Sequence, residues 1–314
     1  MMSISHYLKT IGRGARGARS LSREQAVDLF AQVLDGTVTD LEIGAFCLAM
    51  RIKGETPEEM AGFHDALRLR QSIIPLSPSG RATVILPSYN GARKLPVLTA
   101  LLGLLLAEKG IRVIVHGLNH DPGRTTVAET FSALGLPHCG HVDDVSDGIN
   151  FLPVDVFAPK LAKLVDVRKT IGLRNSAHSL VKILNPTSAR ALVIGSYTHT
   201  AYAEIMSETY RLLGADAMLL RGIEGESITD ARKIQQVDVF VAGVQTRLQE
   251  AEKSPLVAAP EWPDDITASA TANYIEEVMD RRRPVPEPIL RQIMHIQDTL
   301  LVMEKQVKPP IPNG

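Results

Sequence analysis

From Arg81 onward one pattern repeats along the chain, a short β-branched or apolar run followed by a segment with helical spacing. The runs are ATVIL (82–86), RVIVH (112–116), RALVIG (190–195), AMLL (217–220) and VDVFVAG (237–243), and helical segments over 95–109, 125–134 and 200–213 lie between them. Such alternation builds a mostly parallel sheet with helices on both faces. The first 70 residues read differently, as helices throughout. In SREQAVDLFAQVLDG, opened by Ser22, the residues Ala26, Leu29, Phe30 and Val33 share one face and Gly36 stands past the end. Thr39 or Asp40 opens LEIGAFCLAMRI, and Thr56 with Pro57 opens PEEMAGFHDALRLR. A further stretch, PKLAKLVDVRKTIGLRNSAHSLVKILNP, interrupts the strand series as two helices around a break at Gly172. The pattern predicts an α/β fold in two parts. A small helical domain takes residues 1–72 and about 158–185; a larger α/β domain with a central mostly parallel sheet takes about 73–157 and 186–314. Helices over 267–280 and from about 287 to 307 flank the basic corner RRRPVPEP.

With 314 residues, 45% hydrophobic and 22% charged, the chain can bury a full core. Its start, MMSISHYLKTIGRGARGARS, carries bases without an apolar h-region, and no apolar run reaches the ~20 residues of a helical span. Neither a signal peptide nor a membrane partner is expected. Cys47 and Cys139 lie far apart with no CxxC, so no disulfide framework or zinc site is indicated, and the cytoplasm is the expected compartment.

The formal net charge of -1 hides an uneven distribution. Residues 1–23, 66–107 and 167–203 contain fifteen bases and no acid, whereas residues 204–280 contain fifteen acids against six bases. If the three windows meet after folding, the molecule presents a positive track to a polyanion.

The stretch LPSYNGARK, 86–94, stands where a strand–turn–helix unit would seat a phosphate on its backbone N–H groups. Gly91 and Asn90 permit the turn, but Pro87 lacks an N–H and Tyr89 adds bulk. Arg93 and Lys94 oppose the dipole at a helix start, so their placement calls for an anion or an acidic neighbour. His116 at a strand end reads as a hydrogen-bonded structural residue or as a phosphate orienter. His178, four residues after Arg174 and three after Asn175, shares a helical face with both. The set His116, His120 and Glu129 lacks metal-ligand spacing, and Asp143, Asp144 and Asp147 read as a solvated loop.

The stretches IGRGARGARSLSREQA, RIKGETPEEMAGF, LPSYNGARK, VIVHG, GLRNSAH and RPVPEPI together resemble the YbiB-type branch of the anthranilate phosphoribosyltransferase-like fold, across nearly the whole chain. The resemblance implies a helical domain plus an α/β domain, a homodimer formed through the helical domains, and nucleic-acid binding, which a characterised member of that branch shows. Enzymes of the fold hold phosphoribosyl pyrophosphate with a Gly-Thr-Gly-Gly-Asp loop and a Lys-His-Gly-Asn motif, engage anthranilate with an arginine, and bind magnesium with an Asp-Glu pair. Ser88, Tyr89, Asn90, Gly91 and Ala92 stand at the glycine loop without its acid. At the second motif His116 and Gly117 survive between Val115 and Leu118, while Arg174, followed by Asn175 and His178, matches the anthranilate arginine. Glu226 and Ser227 occupy the metal-pair position with one carboxylate in place of two.

The same resemblance implies a vestigial pocket of Ser88, Tyr89, Asn90, Gly91, His116, Gly117, Asn175 and His178, with no catalytic residue, metal or cofactor expected. The degraded motifs weigh against turnover. The leading expectation is therefore non-enzymatic nucleic-acid binding by Arg13, Arg16, Arg19, Arg93, Lys94, Arg168, Lys169, Arg174 and Lys182. With aromatics at only 4%, contact falls on the phosphodiester backbone, weakly sequence-selective and salt-sensitive. The alternative is a phosphoribosyl or related glycosyl transferase with a changed donor or acceptor, its pocket lined by Ser88, Asn90, His116 and Arg174.

Overall fold

Three helices of the N-terminal layer begin with the same local chemistry. In the computed structural model, which describes residues 3–14, 16–252 and 262–306, a short helix α1 (Ser5–Ile11) precedes α2 (Arg23–Asp35), α3 (Asp40–Lys53) and α4 (Pro57–Arg68). Ser22, Thr39 and Thr56 each accept the amide three residues on, and Gln25, Glu42 and Glu59 bond back to the cap's own N–H. Each such box satisfies two amides that a helix start leaves without partners. Glu59 reaches further. Fully buried, it accepts the Leu21 amide at 2.9 Å and pairs with Lys53 Nζ at 2.6 Å, tying the α1–α2 connection to α4.

The sheet has seven strands in the order β3-β2-β1-β4-β5-β6-β7, with β1 (Thr83–Ser88), β2 (Arg112–Gly117), β3 (Ile149–Pro153), β4 (Leu192–Tyr197) and β5 (Ala217–Arg221) parallel. The last two strands, β6 (Val237–Val241) and β7 (Val244–Gln249), run antiparallel. One face carries α5 (Thr99–Glu108), α6 (Val127–Ala133), α11 (Ala268–Met279) and α12 (Glu287–Lys305) over a core that includes Leu86, Leu102, Phe131 and Ile293. The other faces the helical layer across Phe30, Phe63, Phe157, Leu180 and Tyr210. Into that layer return α7 (Val154–Phe157), α8 (Pro159–Ile171) and α9 (Ala177–Leu180), with α8 against α2 and α9 against α4. Gly172 closes α8 at φ 71°, the break expected from the sequence. The remaining helix, α10 (Thr200–Leu213), packs on α4 and the sheet. A small helical domain beside an α/β domain with a mostly parallel mixed sheet is therefore the architecture.

Two strands and one boundary differ from expectation. The short β3 is interrupted by the polar Asn150, which is buried because its amide bonds the carbonyls of Ser146 and Gly148. Edge strand β7, VQTRLQ, is largely exposed and carries no apolar signal. Helix α5 starts at Thr99, four residues after the expected 95, because Pro96 disfavours helix before it and the amides of Lys94 and Leu95 are engaged elsewhere.

Strand order fixes where a ligand can sit. From β1 the chain builds outward to β2 and β3, and from β4 it builds the opposite way, so a crevice opens at the carboxyl ends of β1 and β4. Above that crevice stand α3, α4, α8 and α9.

Candidate functional site

The β1 end forms one wall of the crevice, and its polar groups are bonded to the chain itself. Asn90 and Gly91 donate their backbone N–H groups to Glu226 Oε1 at 2.6 and 2.8 Å. Lys94 and Leu95 donate theirs to Glu224 Oε1 at 3.0 and 3.1 Å. Two glutamates from the β5–β6 connection thus take the place an anion would have on the turn. The Asn90 amide adds bonds to the carbonyls of Glu224 and Gly225 at 2.8 and 3.3 Å. Gly91 has φ 67°, and a Cβ there would lie 2.6 Å from the Thr125 carbonyl, so the turn tolerates no side chain at that position. The acidic neighbour that Arg93 and Lys94 call for is Glu224, reached through the Lys94 backbone; both basic side chains are exposed, with no ion pair among the described residues.

Behind this wall the Tyr89 ring is buried, and its hydroxyl lies 2.7 Å from His116 Nδ1. Burial pushes the tyrosine well above its ordinary pKa and the histidine down to about 3. The structural reading of His116 fits this neutral, enclosed pair, and the bulk of Tyr89 faces the interior instead of a polyanion. Ser88 and Gly117 are buried at adjacent strand ends, paired in register.

The opposite wall is richer in cations, and the carboxylate in its lining, Glu55, accepts from Ser176 Oγ at 2.6 Å. A cavity of about 290 Å³ lies between α3–α4 and the β4 end, with Arg174, His178, Lys182, Ser196, Thr198 and His199 among its lining residues. The Lys182 ammonium donates to the Gly225 carbonyl at 2.8 Å, and Ser196 Oγ donates to the same oxygen at 2.7 Å. Burial, with Arg174 and Arg124 nearby, drives Lys182 down to about 8 although Glu226 opposes the shift. Arg174 is half-buried and, among the described residues, its guanidinium has no hydrogen bond or ion pair. Burial and the charges of Arg124 and Arg168 lower its pKa. His178, bonded through Nδ1 to Asn175, is held down to about 3 by burial and then by Arg174 and Arg168. The helical face expected for Arg174, Asn175 and His178 does not form, because Arg174 and Asn175 precede α9, which begins at Ala177; Asn175 reaches His178 from the loop before the helix.

Several other basic residues acquire carboxylate partners, most of them distant in sequence. Arg168 pairs with Asp121 at 3.3 Å, Lys169 with Asp166 at 2.8 Å, Arg70 with Asp35 and Arg190 with Asp216. Windows free of acid in the sequence are therefore not free of it in space, which corrects the expectation of unopposed charge. Arg13, Arg16 and Arg19 are exposed at the α1–α2 connection, and among the described residues Arg13 and Arg19 bond only to main-chain carbonyls. His120 meets Glu129 at 3.2 Å on the surface, apart from His116. Of the acidic loop, Asp144 accepts the amides of Gly140 and His141, and Asp147 accepts from Ser77 and Ser79. Glu224 and Arg124 escaped sequence reading because nothing in their spacing places them at the β1 turn.

Residues 5–70 match the family model described as the glycosyl transferase family, helical bundle domain. Over 300 residues the chain is 34% identical to the protein YbiB of Escherichia coli (strain K12), covering 93% of this chain and 92% of that one. The chain belongs to the YbiB branch of the anthranilate phosphoribosyltransferase-like family. An anthranilate phosphoribosyltransferase of Methanosarcina acetivorans is 28% identical over 267 residues, 83% of this chain and 68% of that protein. The Saccharomyces cerevisiae anthranilate phosphoribosyltransferase in complex with PRPP and Mg superposes with a TM-score of 0.69 at 14% identity, covering 95% and 89% of the two chains, a likeness of fold.

The fold family implies magnesium, and the residues at the matching position of this branch member do not fit it. Glu226 Oε1 is engaged by two amide donors, and the Ser227 hydroxyl donates to the Pro87 carbonyl at 2.6 Å. No cluster of three or more His, Cys, Asp or Glu suited to a metal occurs among the described residues. A magnesium ion needs several oxygen ligands free to turn toward it.

Proposed function

We propose that the chain is a glycosyl transferase of this family that takes a phosphate-bearing ribosyl substrate in the interdomain crevice, with donor or acceptor changed from that of the anthranilate phosphoribosyltransferases. The observation that carries this reading is Arg174, a half-buried guanidinium without a partner among the described residues, beside Lys182 and His178 in the 290 Å³ cavity. A desolvated, unpaired cation costs free energy unless an anion completes it. The family likeness and the crevice position at the β1–β4 switch support the same reading. In calorimetric titration, ribose 5-phosphate or adenosine monophosphate binds the intact chain, and Arg174→Ala weakens binding at least about tenfold. Absence of binding by both ligands and by phosphoribosyl pyrophosphate ends the reading; binding with no transfer product reduces it to a sensor of small anions.

One observation favours a second reading, nucleic-acid backbone binding. Arg13, Arg16, Arg19, Arg93 and Lys94 are exposed, with no carboxylate partner among the described residues. A second copy docked through the apolar groove of Leu8, Ile11, Leu48 and Ile52 would double these charges. Fluorescence anisotropy with single- and double-stranded oligonucleotides at two salt concentrations tests it. A steep loss of affinity with salt, abolished by replacing Arg13, Arg16 and Arg19 with glutamate, is the required result.

A further inference from the structure

We propose that Glu226, assisted by Glu224, is a resident anion that fills the phosphate seat at the β1 turn. On this assignment the crevice rejects a magnesium diphosphate donor and takes its ligand as a monophosphate on the Arg174–Lys182 side. The statement about the ligand rests on the transferase reading, while the filling of the seat rests on geometry alone. Four backbone N–H groups, from Asn90, Gly91, Lys94 and Leu95, point at carboxylate oxygens of this same chain within 3.1 Å. Clusters of converging amides of this kind bind phosphate when they are free.

The plug is held from behind. Gly225, at φ 79°, passes so close to Asn90 and Lys182 that a Cβ would sit 2.2 Å from Asn90 Nδ2 and 3.2 Å from Lys182 Nζ. Its carbonyl gathers bonds from Lys182, Ser196 and Asn90. Glu224 adopts φ 50°, an uncommon value for a side chain of its size, and its Oε2 lies 3.9 Å from Arg124 Nη1. The second oxygen of Glu226, Oε2, is buried and has no hydrogen-bond partner. A carboxylate placed so deeply, with one oxygen on two amides, is where a bound phosphate oxygen would be and not where a hydrated metal would be approached.

Pyrophosphate, with and without Mg²⁺, is titrated into the wild-type chain, Glu226→Gln and Glu226→Ala, and the unfolding temperature of each is followed. Wild type and E226Q, whose side-chain oxygen still accepts the two amides, take up no pyrophosphate at the β1 turn, so any pyrophosphate they hold on the cationic side is lost with Arg174→Ala and is not strengthened by Mg²⁺. E226A empties the seat and binds pyrophosphate at least about tenfold more tightly than wild type, a gain that survives addition of Arg174→Ala. Magnesium-dependent pyrophosphate binding by wild type overturns the proposal whether or not the variants fold, and so does a folded E226A without the gain. Failure of ribose 5-phosphate to bind any of these proteins would remove the transferase reading and leave the E226A result standing.

Discussion

The two walls of the crevice handle charge in opposite ways. At the β1 turn, four amides and two glutamates satisfy one another, and the aromatic pair Tyr89–His116 closes the space behind them. Across from it, among the described residues, Arg174 has no partner and Lys182 has only backbone oxygen. One wall meets its backbone donors from within the chain, although Glu226 Oε2 and His116 Nε2 stay buried without a partner among the described residues, and the other leaves a cation open. Fold likeness cannot separate them, since both walls sit on the same scaffold and function lies in the side chains set on it.

The largest effect expected from this contrast is on pH dependence. His116 on the closed wall and His178 on the open wall are both held near 3, below the ordinary histidine value of about 6.5. Because the unfolded chain takes up these protons first as pH falls, each histidine's contribution is complete above about 6.5 and is lost progressively toward pH 3. Near pH 5 each has removed about 2 kcal/mol of stability. Urea unfolding at pH 7 and pH 5 should show this dependence becoming shallower in His116→Gln and in His178→Gln; unchanged slopes would break the assignment. Added phosphate should raise the pKa of His178 and leave that of His116 unchanged in a nuclear magnetic resonance titration, since His178 lines the cavity with Arg174 and Lys182 and His116 does not.

A comparable loss is expected on the closed wall. Gly225→Ala should cost about 2–3 kcal/mol in urea unfolding, from positive-φ strain and the clash with Asn90. A change below about 0.5 kcal/mol would mean that the wall is looser than its hydrogen bonds imply. The smallest effect belongs to the open wall. Arg174→Ala should alter stability by no more than about 0.5 kcal/mol while removing ligand affinity. A large destabilisation there would identify Arg174 as a structural residue and erase the difference between the walls.

Much of the architecture was legible in the order of residues. Ser22, Thr39 and Thr56 announce helix starts because capping is a contact over three residues, and Gly172 announces a stop because a left-handed backbone favours glycine. The strands β1, β2 and β4 were visible as apolar runs, whereas β3 and β7 were not, since Asn150 breaks the apolar run of β3 and the exposed TRLQ residues of β7 show no buried face. Within the site, the closeness of Arg174, Asn175 and His178 in the sequence kept them together in space, but in a loop before α9 and not on the helical face their spacing suggests. The bonds joining Asn90 to Glu226 cross 136 residues, and Arg168 to Asp121 cross 47, so neither carries a local signal.

Sequence alone determined the alternation of elements and which faces are apolar, because periodicity and capping are short-range and each residue type brings them along. Tertiary structure alone decided the fate of the charges. Coulomb and hydrogen-bond energies depend on distance through space, and only the folded chain carries Glu224 and Glu226 to the phosphate turn while leaving Arg174 without a counter-ion among the described residues.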